Sequence, residues 1–385
     1  MVASTSSERY DFLDGLRGWA SVAVVLCHYF IEVFPYSNSV AKTLAFLIPF
    51  NGTVAVYTFF VISGFSLSVS YIKNRNGVGL ARMALSRYPR LAIPIFAACA
   101  IVFIMMLTGA IPAPDSRLSP LDTALRFEPD FTHLMRFSFF DVFFAFSVPE
   151  AFIVPLWSMS IELFGSFIVI TLLAVVGRAR WRMWLYGAAF AGIGSFAGTY
   201  RFFAMYSLFV SGIMLAELYV SGAFRFRWHK PTFAVLFVLA WCAPFLSAHQ
   251  PSIFYFCAIV GFCASVFYLG PLQRFFGNRV GRFLGRVSFP LYLLHGPVMY
   301  SFSMLVVRSL DQAGLDTPIR NVITATISLP VALGAAVLFA PMNEWAIKIS
   351  RKFARTALDA FRFLMPDHIR EIPRVEGPRL TVGGN

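Results

Sequence analysis

The chain has 385 residues, of which 58 % are hydrophobic and 13 % charged, with a formal net charge of +13 and a mean hydropathy of +0.70. These values exclude an ordinary soluble domain and a disordered chain, and they indicate a polytopic, all-α integral membrane protein. The excess of Lys and Arg signals topology and attraction to anionic membrane lipid, and it gives no reason to infer nucleic-acid binding.

Residues 1–12 form a polar N-terminal segment, 13–343 the membrane domain and 344–385 a basic C-terminal tail. Within the membrane domain the apolar windows give about ten expected spans, at 18–34, 54–72, 91–113, 153–176, 183–198, 203–220, 232–248, 252–270, 289–307 and 322–340. The fifth and sixth are short. A further apolar piece at 137–153, interrupted by Asp141 and Glu150, reads as interfacial or re-entrant; if it crosses, the count is eleven and the later topology inverts. The five cysteines, Cys27, Cys99, Cys242, Cys257 and Cys263, lie in apolar runs without a CxxC pair, which suggests neither a disulfide framework nor a zinc site.

Basic residues arbitrate the orientation. With the N-terminus in the cytoplasm, the inward loops hold Lys73, Arg75, Arg82, Arg87, Arg90, Arg178, Arg180, Arg182, Arg225, Arg227, Lys230, Arg274, Arg279, Arg282 and Arg286. The outward segments hold only Lys42, Arg117, Arg126, Arg136, Arg201, Arg308 and Arg320. This imbalance predicts both termini in the cytoplasm. The tail from about Trp345 opens as a basic amphipathic stretch expected to lie on the inner surface, and it is too short for a second catalytic domain.

Four local patterns carry possible chemistry. In the first span, Arg17 and His28 are eleven residues apart, almost three helical turns, so both emerge from one face about 16 Å apart along the axis. Asp14 and Ser21 share that face. Ionisable groups in a membrane helix are costly, so this seam reads as a reaction or transport site, although a lone membrane histidine also serves as a helix-to-helix hydrogen-bond partner. In the second span, Ser63 and Gly64 of FFVISGFSLS permit close helix approach, and no nucleophile elbow accompanies the serine. Arg87 and Arg90, three residues apart before the third span, could present two guanidinium groups to one phosphorylated ligand or merely anchor topology. Glu162 shares a face with Ser158, and His295 with Tyr292; each could be catalytic or a buried strut.

Together these pieces resemble the acyltransferase-3 family of integral membrane O-acyltransferases. The resemblance runs through Asp14-Gly15-Leu16-Arg17 with His28, Phe59 to Phe65, Arg87 with Arg90, Leu156 to Glu162 and Ser288 to His295, in order, over residues 10–343. Phe289 replaces a frequent Tyr of the pattern and Met159 a frequent Leu. The resemblance implies transfer of an acyl group, usually acetyl, from cytoplasmic acyl-CoA (acetyl-CoA) to a hydroxyl of a glycan or lipid-linked sugar such as lipopolysaccharide or exopolysaccharide, in a bacterial inner membrane and without a metal.

On that basis His28, Arg17 and Glu162 are the expected catalytic residues, with His28 as general base or transient acyl carrier. Arg87, Arg90, Arg17 and Ser63 are the expected donor contacts, and His295, Tyr292 and Asp14 the expected acceptor contacts. The competing class is a multi-pass transporter in which Arg17, His28, Glu162 and Glu217 line a proton or anion path.

Overall fold

The computed structural model describes residues 10–113, 117–118, 121–223, 229–240 and 253–363. The expectations for residues 1–9, Arg225, Arg227, Cys242, the end of the seventh span and the tail beyond 363 lie outside the described residues, as does the side chain of Lys230. All regular structure among the described residues is helical. In chain order the principal helices are α1 (Asp11–Val33), α2 (Gly52–Asn74), α3 (Gly77–Leu107), α4 (Val154–Val176), α5 (Arg182–Gly194), α6 (Arg201–Ser221), α7 (His229–Ala240), α8 (Ile253–Tyr268), α9 (Gly270–Phe276), α10 (Arg279–Gln312) and α11 (Thr317–Phe363).

Seven of these, α1, α2, α3, α4, α6, α10 and α11, are long and apolar enough to cross a membrane, and the count is eight if α8 and α9, bent by 90°, form one broken span. The chain is a multi-pass membrane protein. Of the other two expected spans, the fifth falls on α5, whose 13 residues are fewer than hydrocarbon thickness requires, and the seventh begins on α7 and runs beyond the described residues.

Side chains mark where several helices begin. Asn51, Asn76 and Asn278 accept from the backbone N–H groups of Val54 (2.9 Å), Gly79 (3.0 Å) and Gly281 (2.8 Å), satisfying one orphan donor at the start of α2, α3 and α10. Arg75 ends α2 in the left-handed conformation at φ 48. Prolines interrupt the hydrogen-bond ladders of α3 (Pro89, Pro94), α10 (Pro290, Pro297) and α11 (Pro330, Pro341). Such breaks are tolerated in membrane helices because neighbours re-satisfy the freed groups.

Six helices close a ring. α1 packs on α10, α10 on α11, α11 on α3, α3 on α4, α4 on α2, and α2 back on α1. The tightest seam joins α1 to α10 through small residues, as expected where no hydrophobic force drives helices together. A Cβ at Gly18 would sit 2.5 Å from the Gly285 backbone nitrogen and one at Gly285 would sit 2.4 Å from the Asp14 carbonyl oxygen. Gly64 is likewise pressed on α6, where its Cβ would lie 2.1 Å from the Phe209 carbonyl oxygen. This is the close approach expected of the Ser63-Gly64 pair. Helices α5 and α8 pack on α6, and α7 on α8.

The apolar piece near 137–153 doubles back. Phe131–Arg136 leads into a π-helical turn, Phe137–Asp141, laid on α3, where Tyr88 donates to the Phe139 carbonyl at 2.5 Å. On the return, Glu150 comes within 3.4 Å of His133. Ahead of it, Arg117 donates from Nε to the Pro112 carbonyl (2.7 Å) and from Nη1 to that of Ala124 (2.6 Å). Burial lowers its pKa below the usual guanidinium range.

Elsewhere, Arg182 holds Glu217 through two bonds of 2.6 and 2.9 Å, with Arg75 3.6 Å away, tying the ends of α2, α5 and α6. The expected surface helix after residue 344 is instead the continuation of α11, a helix of 47 residues. No Gly or Pro lies between Met342 and Phe363 to end it.

Candidate active site

Five of the six ring helices contribute polar side chains to the interior: Arg17 and His28 from α1, Ser63 from α2, Arg87 and Arg90 from α3, Glu162 from α4, and Tyr292 and His295 from α10; Arg351 of α11 is exposed and lies within electrostatic range of Arg90. They form two groups at different depths.

The first group is built on charge. Glu162 Oε1 accepts from Arg87 Nη2 at 2.6 Å and from Ser63 Oγ at 2.8 Å. Arg87 Nη2 also donates to Ser166 Oγ at 2.6 Å. Arg87 is only 6 % exposed, and its buried Nε–H has no partner. Arg17 lies 3.6 Å from Asp14 and within electrostatic range of Glu162 and Arg87. Arg90 is within range of Arg87, Arg17, Glu162 and Arg351. Among the described residues, no carboxylate pairs with Arg90 or Arg351 at ion-pair distance.

Arg90 sits thirteen residues into α3, faces these interior groups and is nevertheless exposed. Its guanidinium therefore reaches beyond the carboxylate that neutralises Arg87. Three guanidinium groups against two carboxylates leave a positive interior, and an isolated charge in such a place calls for an anion.

The second group is built on neutral nitrogen. His28 Nδ1 and His295 Nε2 are 3.0 Å apart, and the rings are nearly parallel with centroids 5.0 Å apart. His295 Nδ1 lies 3.1 Å from the Leu291 carbonyl. A carbonyl only accepts, so Nδ1 of His295 carries hydrogen and its Nε2 accepts from His28 Nδ1–H. His28 Nε2 is then left with its lone pair free. The nearest charged group to it is the Glu32 carboxylate, with Oε2 at 3.4 Å. Beside this pair, Tyr292 OH meets Ser158 Oγ at 2.8 Å and donates to the Pro155 carbonyl, and Tyr29 OH donates to the His295 carbonyl at 3.4 Å.

Both histidines stand where α-helical bonding gives way to π-helical bonding. α1 changes at His28–Val33, and α10 changes at Met299–Ser303, one turn after His295. Such wide turns recur at functional sites because they redirect side chains.

The structure thus joins His28 to His295 and Glu162 to Arg87 and Ser63. It places Asp14 with Arg17, in the first turns of α1, and apart from Tyr292 and His295, with which acceptor contact was expected. Ser21 leaves the seam, donating to the Gly18 carbonyl at 2.8 Å while fully buried. Arg351, Ser166 and Glu32 were not anticipated. The first two lie one residue past a buried Ser350 and one turn past Glu162, patterns too common to stand out. Among the described residues no group of three His, Cys, Asp or Glu side chains is placed to hold a metal ion, and the described cysteines are free.

The family model for the acyltransferase domain of acyltransferase-3 proteins matches residues 10–341. The chain belongs to the acyltransferase-3 family. It is also similar to the O-acetyltransferase PaAT-1 of Phomopsis amygdali, 24 % identical over 414 residues covering 88 % of this chain and 81 % of that protein. No solved structure matches the chain. The protein is a membrane O-acyltransferase, and the transporter reading gives way. Glu217, which that reading needed along a path, is held by Arg182 and Arg75 at the ends of helices.

Proposed function

We propose that the protein transfers an acetyl group from acetyl-CoA to a hydroxyl of a cell-surface glycan or lipid-linked sugar, with His28 as the general base. The observation that carries this reading is the two-part interior of the ring, in which a positive cluster lies beside a neutral imidazole pair. Arg17 and His28 are about 16 Å apart along α1, the scale of an extended pantetheine arm. Nucleotide phosphates held by Arg90, Arg17 and Arg87 would let the thioester reach His28. Guanidinium groups suit phosphate because they donate in a planar fork.

The acceptor hydroxyl attacks the thioester carbonyl while His28 Nε2 takes its proton. The tetrahedral intermediate collapses, the C–S bond breaks, and the imidazolium returns the proton to the departing thiolate. The products are an ester and free CoA thiol. A thioester is already activated, so a positioned base and a positive field for the developing oxyanion are the main requirements. Glu162, committed to Arg87 and Ser63, shapes the donor end in this reading and takes no proton.

The basic-residue imbalance supports a cytoplasmic N-terminus, ten crossings with α5 and α7 completing the count, and an inner-membrane home. Mass spectrometry of surface glycans tests the reaction. An acetyl ester should disappear on deletion of the gene, return with the intact gene and fail to return with His28→Ala; full return with His28→Ala rejects the assignment.

A further inference from the structure

The π-helical turn at His28–Val33 gathers three side chains: His28 and Glu32, which an i,i+4 spacing already sets on one face, and Cys27, which a regular helix would turn away from Glu32. At about 100° per residue, Cys27 and Glu32 would point to nearly opposite sides of an α-helix. With bonding widened to i→i+5, residues five apart come onto one face. Cys27 Sγ accordingly donates to Glu32 Oε1 at 3.7 Å, while Glu32 Oε2 stands 3.4 Å from His28 Nε2. The two carboxylate oxygens are therefore divided between a thiol donor and the one free nitrogen of the histidine pair. Glu32 is 49 % exposed, His28 22 %, so the carboxylate stands at the wetter side of the imidazole.

We infer that Glu32 is a positioning residue for the reaction, its carboxylate acting through His28 to favour the imidazolium that forms as the acceptor hydroxyl is deprotonated. This rests on the base role proposed for His28. In the resting state the Nε2 lone pair faces the carboxylate without a hydrogen bond between them. When Nε2 takes the proton from the acceptor oxygen, the contact becomes an imidazolium beside a carboxylate, a charge attraction present only while the proton is held, and the N–H itself stays aimed at the reacting groups. Interactions stronger in the transition state than in the ground state raise kcat. The proton then leaves with the thiolate, so Glu32 ends the cycle unchanged. Cys27 keeps one carboxylate oxygen turned aside, and His295 holds the imidazole from behind through Nδ1.

The test uses membranes containing the full-length protein, acetyl-CoA labelled in the acetyl group, and glycan extracted from the native cells as acceptor. Glu32→Gln keeps size and removes charge. Its kcat should fall about ten- to a hundredfold, the range for losing a charge-assisted bond, with the KM for acetyl-CoA unchanged. Glu32→Asp should recover part of the loss. A Glu32→Gln variant with wild-type kcat overturns the inference. So does one with unchanged kcat and a raised acceptor KM, which would make Glu32 an acceptor contact. Should Glu32→Gln not assemble, Glu32→Asp carries the test, and wild-type kcat there is equally fatal. Wild-type membranes that transfer no label would instead refute the parent reading, independently of Glu32.

Discussion

The two ends of the interior solve opposite electrostatic problems. At the guanidinium end, Arg87 is matched by Glu162 and Ser166, yet Arg17 and Arg90 add more positive charge than the two carboxylates offset. At the histidine end, two rings satisfy each other and a backbone carbonyl while leaving one lone pair free. A cation cluster attracts and holds an anion but is a poor base; a neutral imidazole takes a proton but grips phosphate weakly. In the reaction proposed above the contrast divides binding from chemistry between two depths of one ring, so substitutions at the two ends should fail in different ways.

The largest expected effect is at the histidine end. His28→Ala should lower kcat by roughly 10²–10⁴-fold, the usual contribution of a positioned base, while isothermal titration with CoA shows donor affinity unchanged. A parallel loss of affinity would erase the division between the ends.

Next comes the buried pair. Arg87→Ala strands the Glu162 carboxylate and should cost about 3–5 kcal/mol of stability, whereas Arg87→Met with Glu162→Leu should be far milder because a buried pair can be replaced by packed apolar groups. Thermal unfolding in detergent separates the two outcomes. If the double variant is as unstable as the single one, the pair is not the strut described here.

Arg90→Ala should be well folded, since no carboxylate is stranded, and should weaken acetyl-CoA binding about tenfold. Acetyl-pantetheine, which lacks the nucleotide phosphates, should be used as well as by the wild type. An equal loss with both donors would move Arg90 out of the phosphate site. Smallest of all, Ser63→Ala removes one of two bonds to Glu162 Oε1 and should cost about 1 kcal/mol, read as a few-fold change in kcat/KM with little change in unfolding temperature.

Much of this interior was legible in the chain itself. Helical periodicity put Arg17 and His28 on one face, and both do turn inward; the spacing of Arg87 and Arg90 brought both to the same cluster. Their difference was not legible, because whether a guanidinium is saturated depends on Glu162 of α4, 75 positions from Arg87. The same limit hid the His28–His295 contact, made across 267 positions. Glu32 escaped for another reason. Reasoning at 3.6 residues per turn sets it opposite Cys27, and only the π-helical turn, which no local composition announces, brings the two together. In the fold, apolar windows located the long helices, but α5 falls short of a full span. The C-terminal basic stretch reads as a separate surface helix only while it is judged apart from α11, with which it is continuous.

The glycine seam between α1 and α10 has a mechanical corollary. With Gly18 and Gly285 each backed against main-chain atoms of the facing helix, these two rods are riveted main chain to main chain, and neither can slide or rotate without collision. The imidazoles mounted on them are thus fixed instruments whose spacing is set at assembly.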